Sequence, residues 1–319
     1  GTLYTLAYAN PCTFHVDPIE KKPLYHYLPG ARSFSLATPG CSFRCLNCQN
    51  WDISQRKPED LKDPHGPEVR LDAKQPRRLT QLDLARLSMP PEDVVALSEA
   101  TECTTIAYTY SEPTSFYEYM YETAKLARGR KIKNLCITAA YVLEQPLLDL
   151  CAYLDAASAN LKGFNEKTHR ILNGGKLQPV LETLETLKKQ GVWLEVVNLI
   201  VPTYTDKMEE IKRMSGWLVD HLGIEYPLHF LRFRPMYKLT HLAPTPTQVL
   251  LEARDIARKA GLKYVYLGGV PEVDDAGTTY CPNCRKPVLE RQYMTVTRSN
   301  MTDGKCGACG TKLTGIWSA

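Results

Sequence analysis

Seven short apolar runs, each separated from the next by a stretch of helical periodicity, constrain this chain most. The runs are Phe34–Ala37, Thr105–Tyr110, Asn134–Thr138, Ala159–Gly163, Trp193–Val201, His229–Phe233 and Lys263–Leu267. One helical pattern opens at Pro90-Pro91-Glu92-Asp93, with prolines and acids in its first turn. Others cover about 114–128, 145–155, 179–190, 206–222 and 246–260. In 179–190, Val180, Leu181, Leu184 and Leu187 share one face and Gly191 ends the pattern. Alternating strands and helices with short connections predict an α/β fold with a parallel sheet. Six such units suit a partial (β/α)6 barrel, with its site at the C-terminal ends of the strands. Residues 1–32 read as a leading segment, 33–270 as the barrel and 271–319 as a separate unit. Residues 56–80 are polar and rich in proline, a long loop of the kind that carries function or moves.

Just after the first run, Cys41, Cys45 and Cys48 form C-x3-C-x2-C behind a Thr38-Pro39-Gly40 turn. Three thiolates on one tight loop fit three irons of a [4Fe–4S] cluster, which normally takes four cysteines. No fourth lies nearby, so one iron is left open to another ligand. The competing readings are a zinc site short of one ligand, or three buried thiols. Zinc sites built from cysteine usually come as paired C-x2-C knuckles. Such a pair stands further along, at Cys281, Cys284, Cys306 and Cys309, with a strand-rich stretch 288–296 between. It predicts a four-cysteine metal site of zinc-ribbon or rubredoxin-like type, with zinc the default and iron chemically possible.

The eleven cysteines thus partition into three, four and the singles Cys12, Cys103, Cys136 and Cys151. That is metal usage in a reducing cytoplasm rather than a disulfide framework. No run approaches the roughly 20 apolar residues that span a bilayer. A net charge of +4 with dispersed Lys and Arg does not indicate a nucleic-acid partner.

The C-x3-C-x2-C loop after a first strand resembles the signature of radical S-adenosylmethionine (SAM) enzymes. The wider text, Val16-Asp17-Pro18-Ile19-Glu20-Lys21-Lys22-Pro23-Leu24, Leu28-Pro29-Gly30 and Cys48-Gln49-Asn50-Trp51, resembles the AmmeMemoRadiSam-system radical SAM enzymes, relatives of the pyruvate formate-lyase activating enzymes. The likeness runs from about residue 3 to residue 317. It implies that the amino and carboxylate groups of SAM chelate the open iron. An electron from the reduced cluster then splits SAM into methionine and a 5′-deoxyadenosyl radical, which takes hydrogen from a substrate. A ferredoxin- or flavodoxin-type reductant and a partner encoded nearby are implied as well. Gly1-Thr2-Leu3-Tyr4 looks like a trimmed start running into a strand-like pattern. Relatives often carry a cysteine-rich segment upstream, and Cys12 would lie near its remnant.

The resemblance also implies SAM contacts. Tyr110-Ser111-Glu112-Pro113 stands where related enzymes have Gly-Gly-Glu-Pro, and Glu112 would receive the SAM ammonium. Thr138 would contact the amino acid end of SAM. Asn160-Leu161-Lys162 stands where relatives show Asp-Leu-Lys, and Lys162 would pair with the carboxylate. Asn198 would hydrogen-bond the ribose, and Arg234 occupies a place where relatives usually carry His. On other grounds Glu112 is a helix-start acid, Lys162 a surface lysine and Asn198 a strand residue satisfying backbone groups. Asn47 stands in place of an aromatic, and Ala139-Ala140 in place of Asn-Gly. Asn160 for Asp and Arg234 for His make the pocket more electropositive. The substrate is not legible. Glycyl-radical activation of a partner is one alternative, and a non-catalytic zinc-ribbon binding protein is another.

Overall fold

Strand ends and helix caps fall close to where the periodicity puts them. The computed structural model describes residues 5–63, 68–71 and 80–318. The expectation for Gly1–Tyr4 and part of that for the 56–80 loop lie outside the described residues. Strands β1 (Thr13–Pro18), β2 (Arg32–Ala37), β3 (Thr105–Tyr108), β4 (Lys133–Thr138), β5 (Ala156–Asn160), β6 (Trp193–Ile200), β7 (Leu228–Arg232) and β8 (Val265–Gly268) form one sheet in sequence order. β2 to β8 are all parallel, while β1 runs antiparallel to β2. β8 does not pair with β1, so the barrel is partial.

Helices Pro91–Ala100, Tyr117–Gly129, Glu144–Cys151, Gln178–Lys189, Met208–Trp217 and Thr247–Ala260 cover the outside. Their apolar stripes, among them Leu181, Leu184, Leu187, Ala253 and Ala257, join the core formed with the outward faces of the strands. Two expectations shift. The fifth strand occupies Ala156–Asn160 rather than 159–163, because the chain turns away at Gly163, whose φ is +149°. A further helical segment, Glu166–Asn173, has too few apolar residues to show periodicity. Its ends were nonetheless written: the Asn165 side chain accepts from the Thr168 amide at 3.1 Å, and Gly174 closes it at φ +77°.

The segment between β1 and β2 plugs the barrel floor. Ile19, Leu24, Tyr27 and Leu28 pack against Ala107, Leu135 and Ala156, two of them small enough to admit the plug. The final unit adds β9 (Thr279–Tyr280), β10 (Pro287–Gln292), β11 (Thr295–Ser299), β12 (Met301–Thr302) and β13 (Lys305–Cys306). It returns to the plug: the Leu28 amide donates to the Ile316 carbonyl at 2.7 Å, and the Ile316 amide to that of His26 at 2.8 Å.

Candidate functional site: one cavity at the strand ends

The cysteine loop is anchored by backbone hydrogen bonds. The Arg44 amide donates to the Asn173 carbonyl (3.0 Å), that of Leu46 to Leu172 (2.8 Å) and that of Gly40 to Ile53 (3.0 Å). The helix missed by periodicity is therefore a support of this loop. Cys45 is buried and Cys41 and Cys48 half-buried, packed with Phe43, Ala139 and Tyr141. Burial pushes the Cys41 thiol up to about 11 and raises Cys45 as well. Metal binding must displace those protons. The Cys48 sulfur lies 3.0 Å from the Ser54 hydroxyl.

Beside the loop, Glu112 is held by several neighbours. Its Oε1 accepts from the Thr138 hydroxyl at 2.6 Å, and its Oε2 from the Ala139 amide at 2.6 Å. Burial pushes its carboxyl up, while Thr138, Ala139, Thr114 and the charge of Lys162 oppose that rise. Oε1 is also approached by the Thr114 amide (3.4 Å) and hydroxyl (3.3 Å), so it is Oε2, with the Ala139 amide alone, that keeps a further acceptor site for an incoming donor. Ala139 acts through its backbone, so losing a side-chain amide there leaves this bond intact. The neighbouring departures are not neutral. Tyr110 has φ +65° and Ala140 φ +56°, where glycine is at ease. Tyr110 is fixed by its hydroxyl, which donates to Asp17, and by Lys22, whose ammonium lies 4.5 Å from the ring centroid.

Lys162 follows β5, is half-buried and makes no hydrogen bond or ion pair among the described residues. Asn160 donates to the Thr138 carbonyl at 3.2 Å, tying β5 to β4. Arg234 is exposed past the end of β7. Glu112, Thr138, Asn160, Lys162 and Arg234 line one cavity of about 1230 Å³ together with Cys41, Cys45, Asn47 and Cys48. Asn198 does not line it. Alternation along β6 turns Val197, Leu199 and Val201 inward and Asn198 outward. There Asn198 donates to the Leu161 carbonyl at 2.7 Å and faces a separate small void beside Glu210. Asn198, expected at the ribose, thus stands outside the lining of the main cavity and ties β6 to the Leu161 backbone.

Several polar groups escaped sequence reading, some of them because their partners are distant in the chain. Asp17 bonds Lys22 at 2.6 Å and Lys21 at 2.8 Å. Burial works against the charged carboxylate, but Lys21, Lys22 and Tyr110 outweigh it and hold Asp17 well below the usual range. Glu195 accepts the amides of Tyr25 (3.0 Å) and His26 (2.7 Å), the indole of Trp193 (3.1 Å) and His229 Nε2 (2.7 Å). Arg291 on β10 donates to the Tyr25 carbonyl at 2.6 Å and pairs with buried Glu20 at 3.6 Å. It also lines the cavity, so the final unit forms part of that wall. Glu195 and the local Asp17–Lys21–Lys22 group were visible as charges within apolar or extended text, but not the remote partners Tyr110 of Asp17 and Tyr25, His26 and His229 of Glu195.

In the final unit, the sulfurs of Cys281, Cys284, Cys306 and Cys309 all lie within 4.8 Å of one another. Four thiols at that spacing suit one tetrahedral ion. The three loop thiols beside an acid and an unpaired lysine suit a cluster with one open iron and a zwitterionic ligand.

A partial parallel barrel with three loop cysteines at its strand ends defines the class. The model of the radical SAM superfamily matches residues 35–218, and this chain belongs to that superfamily. The protein named "Uncharacterized protein MJ0808" of Methanocaldococcus jannaschii is 41% identical over 315 residues, covering 98% of this chain and 86% of that protein. SuiB of Streptococcus suis superposes with a TM-score of 0.54 at 11% identity, over 83% of this chain and 56% of its own. Coproporphyrinogen III oxidase (HemN) of Escherichia coli, described as a radical SAM enzyme, superposes at 0.50 with 14% identity, over 81% and 60%. These two likenesses show the fold alone. No helix among the described residues is long and apolar enough to cross a membrane.

Proposed function

We propose that this chain is a SAM-cleaving enzyme of the AmmeMemoRadiSam-system branch, acting on a substrate held beside SAM. One observation carries the reading: a single cavity gathers Cys41, Cys45, Cys48, Glu112 and Lys162. Cys41, Cys45 and Cys48 would hold the [4Fe–4S] cluster. Glu112 receives the ammonium of SAM, Lys162 its carboxylate, and Thr138 orients Glu112. Arg234 offers a positive charge at the rim. When bound, the cluster and SAM together supply reductive carbon–sulfur cleavage to a 5′-deoxyadenosyl radical. The protein fixes the zwitterion between opposite charges and keeps water from the loop with Phe43 and Tyr141.

The cavity exceeds the roughly 300–1,000 Å³ usual for one small ligand, which leaves room for a substrate. Residues 1–32 form the leading segment, 33–270 the barrel and 271–319 the four-cysteine domain, with zinc at Cys281, Cys284, Cys306 and Cys309. A ferredoxin- or flavodoxin-type protein supplies the electron. The test is anaerobic reconstitution with iron and sulfide, then reduction with dithionite in the presence of SAM. Formation of 5′-deoxyadenosine and methionine supports the reading; their absence from protein carrying about four irons refutes it.

A further inference from the structure

Asn173 is the last residue of helix Glu166–Asn173, and its side chain has no role in the account above. It is 0% exposed, and neither Oδ1 nor Nδ2 has a hydrogen-bond partner. A buried carboxamide unsatisfied at both ends is rare in folded proteins, because it forfeits its hydration for nothing. Asn173 also lines the main cavity, and its own carbonyl is held by the Arg44 amide of the cysteine loop. Beside it, Leu172, Leu199 and Val201 give the cavity an apolar wall. A polar group with a donor next to an acceptor, set at the edge of an apolar wall, suits a flat heterocycle whose rim offers the complementary pair.

The reading of this cavity as a SAM site already assigns the two charged ends of SAM to Glu112 and Lys162. What remains is adenine, whose N6 amine lies beside a ring nitrogen. A carboxamide pairs with that edge through two hydrogen bonds, donating to the ring nitrogen and accepting from the amine. We propose that Asn173 reads the adenine edge of SAM against the wall of Leu172, Leu199 and Val201, which makes it a specificity-determining residue of the cofactor site. The inference rests on the proposed function and extends it by one named contact.

The test uses full-length, cluster-loaded protein under anaerobic conditions. SAM and S-inosylmethionine, in which a 6-oxo group replaces the 6-amine, are titrated by calorimetry against the wild type, Asn173→Leu and Asn173→Ala. Iron content and the brown absorbance of the cluster report whether each variant is intact. A paired amide contact discriminates between bases by about 5- to 150-fold. The wild type should prefer SAM by a factor in that range. Both variants should bind SAM more weakly and the inosyl compound nearly as before, so that the preference collapses. A preference that survives in whichever variant loads its cluster overturns the inference alone. Failure of the loaded wild type to bind SAM overturns the enzyme reading and this inference together.

Discussion

Replacing Glu195 by Gln tests the account of the barrel floor. Each carboxylate oxygen serves two donors: Oε1 takes the His26 amide and the Trp193 indole, Oε2 the Tyr25 amide and His229. A glutamine must present its NH2 to one of those pairs. Facing His26 and Trp193, it leaves two donors orphaned. Facing Tyr25 and His229, it leaves one, because the imidazole can change tautomer and accept. The second orientation is the cheaper, and one orphaned buried donor costs about 1–3 kcal/mol. At about 2.1 cal/mol/K of unfolding entropy per residue, this chain should lose about 1.5–4.5 °C in Tm. Calorimetry and urea unfolding of the two proteins measure the difference. Burial pushes the Glu195 carboxyl up, yet His229, His26 and the Tyr25 amide outweigh it and hold it below the usual range. A depressed carboxylate stabilises above its unfolded pKa of about 4.3 and loses that contribution as pH falls through the folded value. The gap between wild type and variant should therefore be full at pH 7 and close below about pH 4. A variant as stable as wild type at pH 7, or a gap that widens in acid, refutes the reasoning.

Glu112→Gln and Lys162→Met should each weaken SAM binding about tenfold or more while the cluster assembles; anaerobic titration measures both. Ala140→Gly should stabilise the protein by up to about 1 kcal/mol, since it relieves a positive φ, and urea unfolding reads it. The His26 imidazole, fully buried and pushed down to about 4 by that burial, should make stability fall as pH drops from about 6.5 toward 4; urea midpoints between pH 7.5 and 4.5 check this. Cys309→Ser should release the C-terminal metal and loosen the β10 wall at Arg291 while leaving cluster iron in place, as metal analysis and limited proteolysis would show.

The parallel sheet was legible because seven apolar runs and their intervening stripes repeat at fixed periods. The meeting of the four C-terminal sulfurs was legible because paired C-x2-C spacing survives translation into space. Helix Glu166–Asn173 was not, since its stability comes from caps and from the cysteine loop it supports rather than from an apolar face. For Asn198 the place in a strand was readable, but which face it takes depends on register across β5 to β7. The latch from Arg291 to Glu20 and Tyr25 joins residues more than 260 apart and has no local signal. The plug itself was present as text, in the Val16–Leu24 stretch that carried the family likeness, yet its position under Ala107 and Ala156 is a tertiary fact.

Electron paramagnetic resonance of the reduced, reconstituted protein with and without SAM tests the central claim most directly. The wild type should show a [4Fe–4S]⁺ signal whose g values shift when SAM is added, because one iron is free to take it, and Cys45→Ala should lose both signal and shift. A wild-type signal indifferent to SAM, or a SAM-sensitive signal persisting in Cys45→Ala, would contradict the assignment.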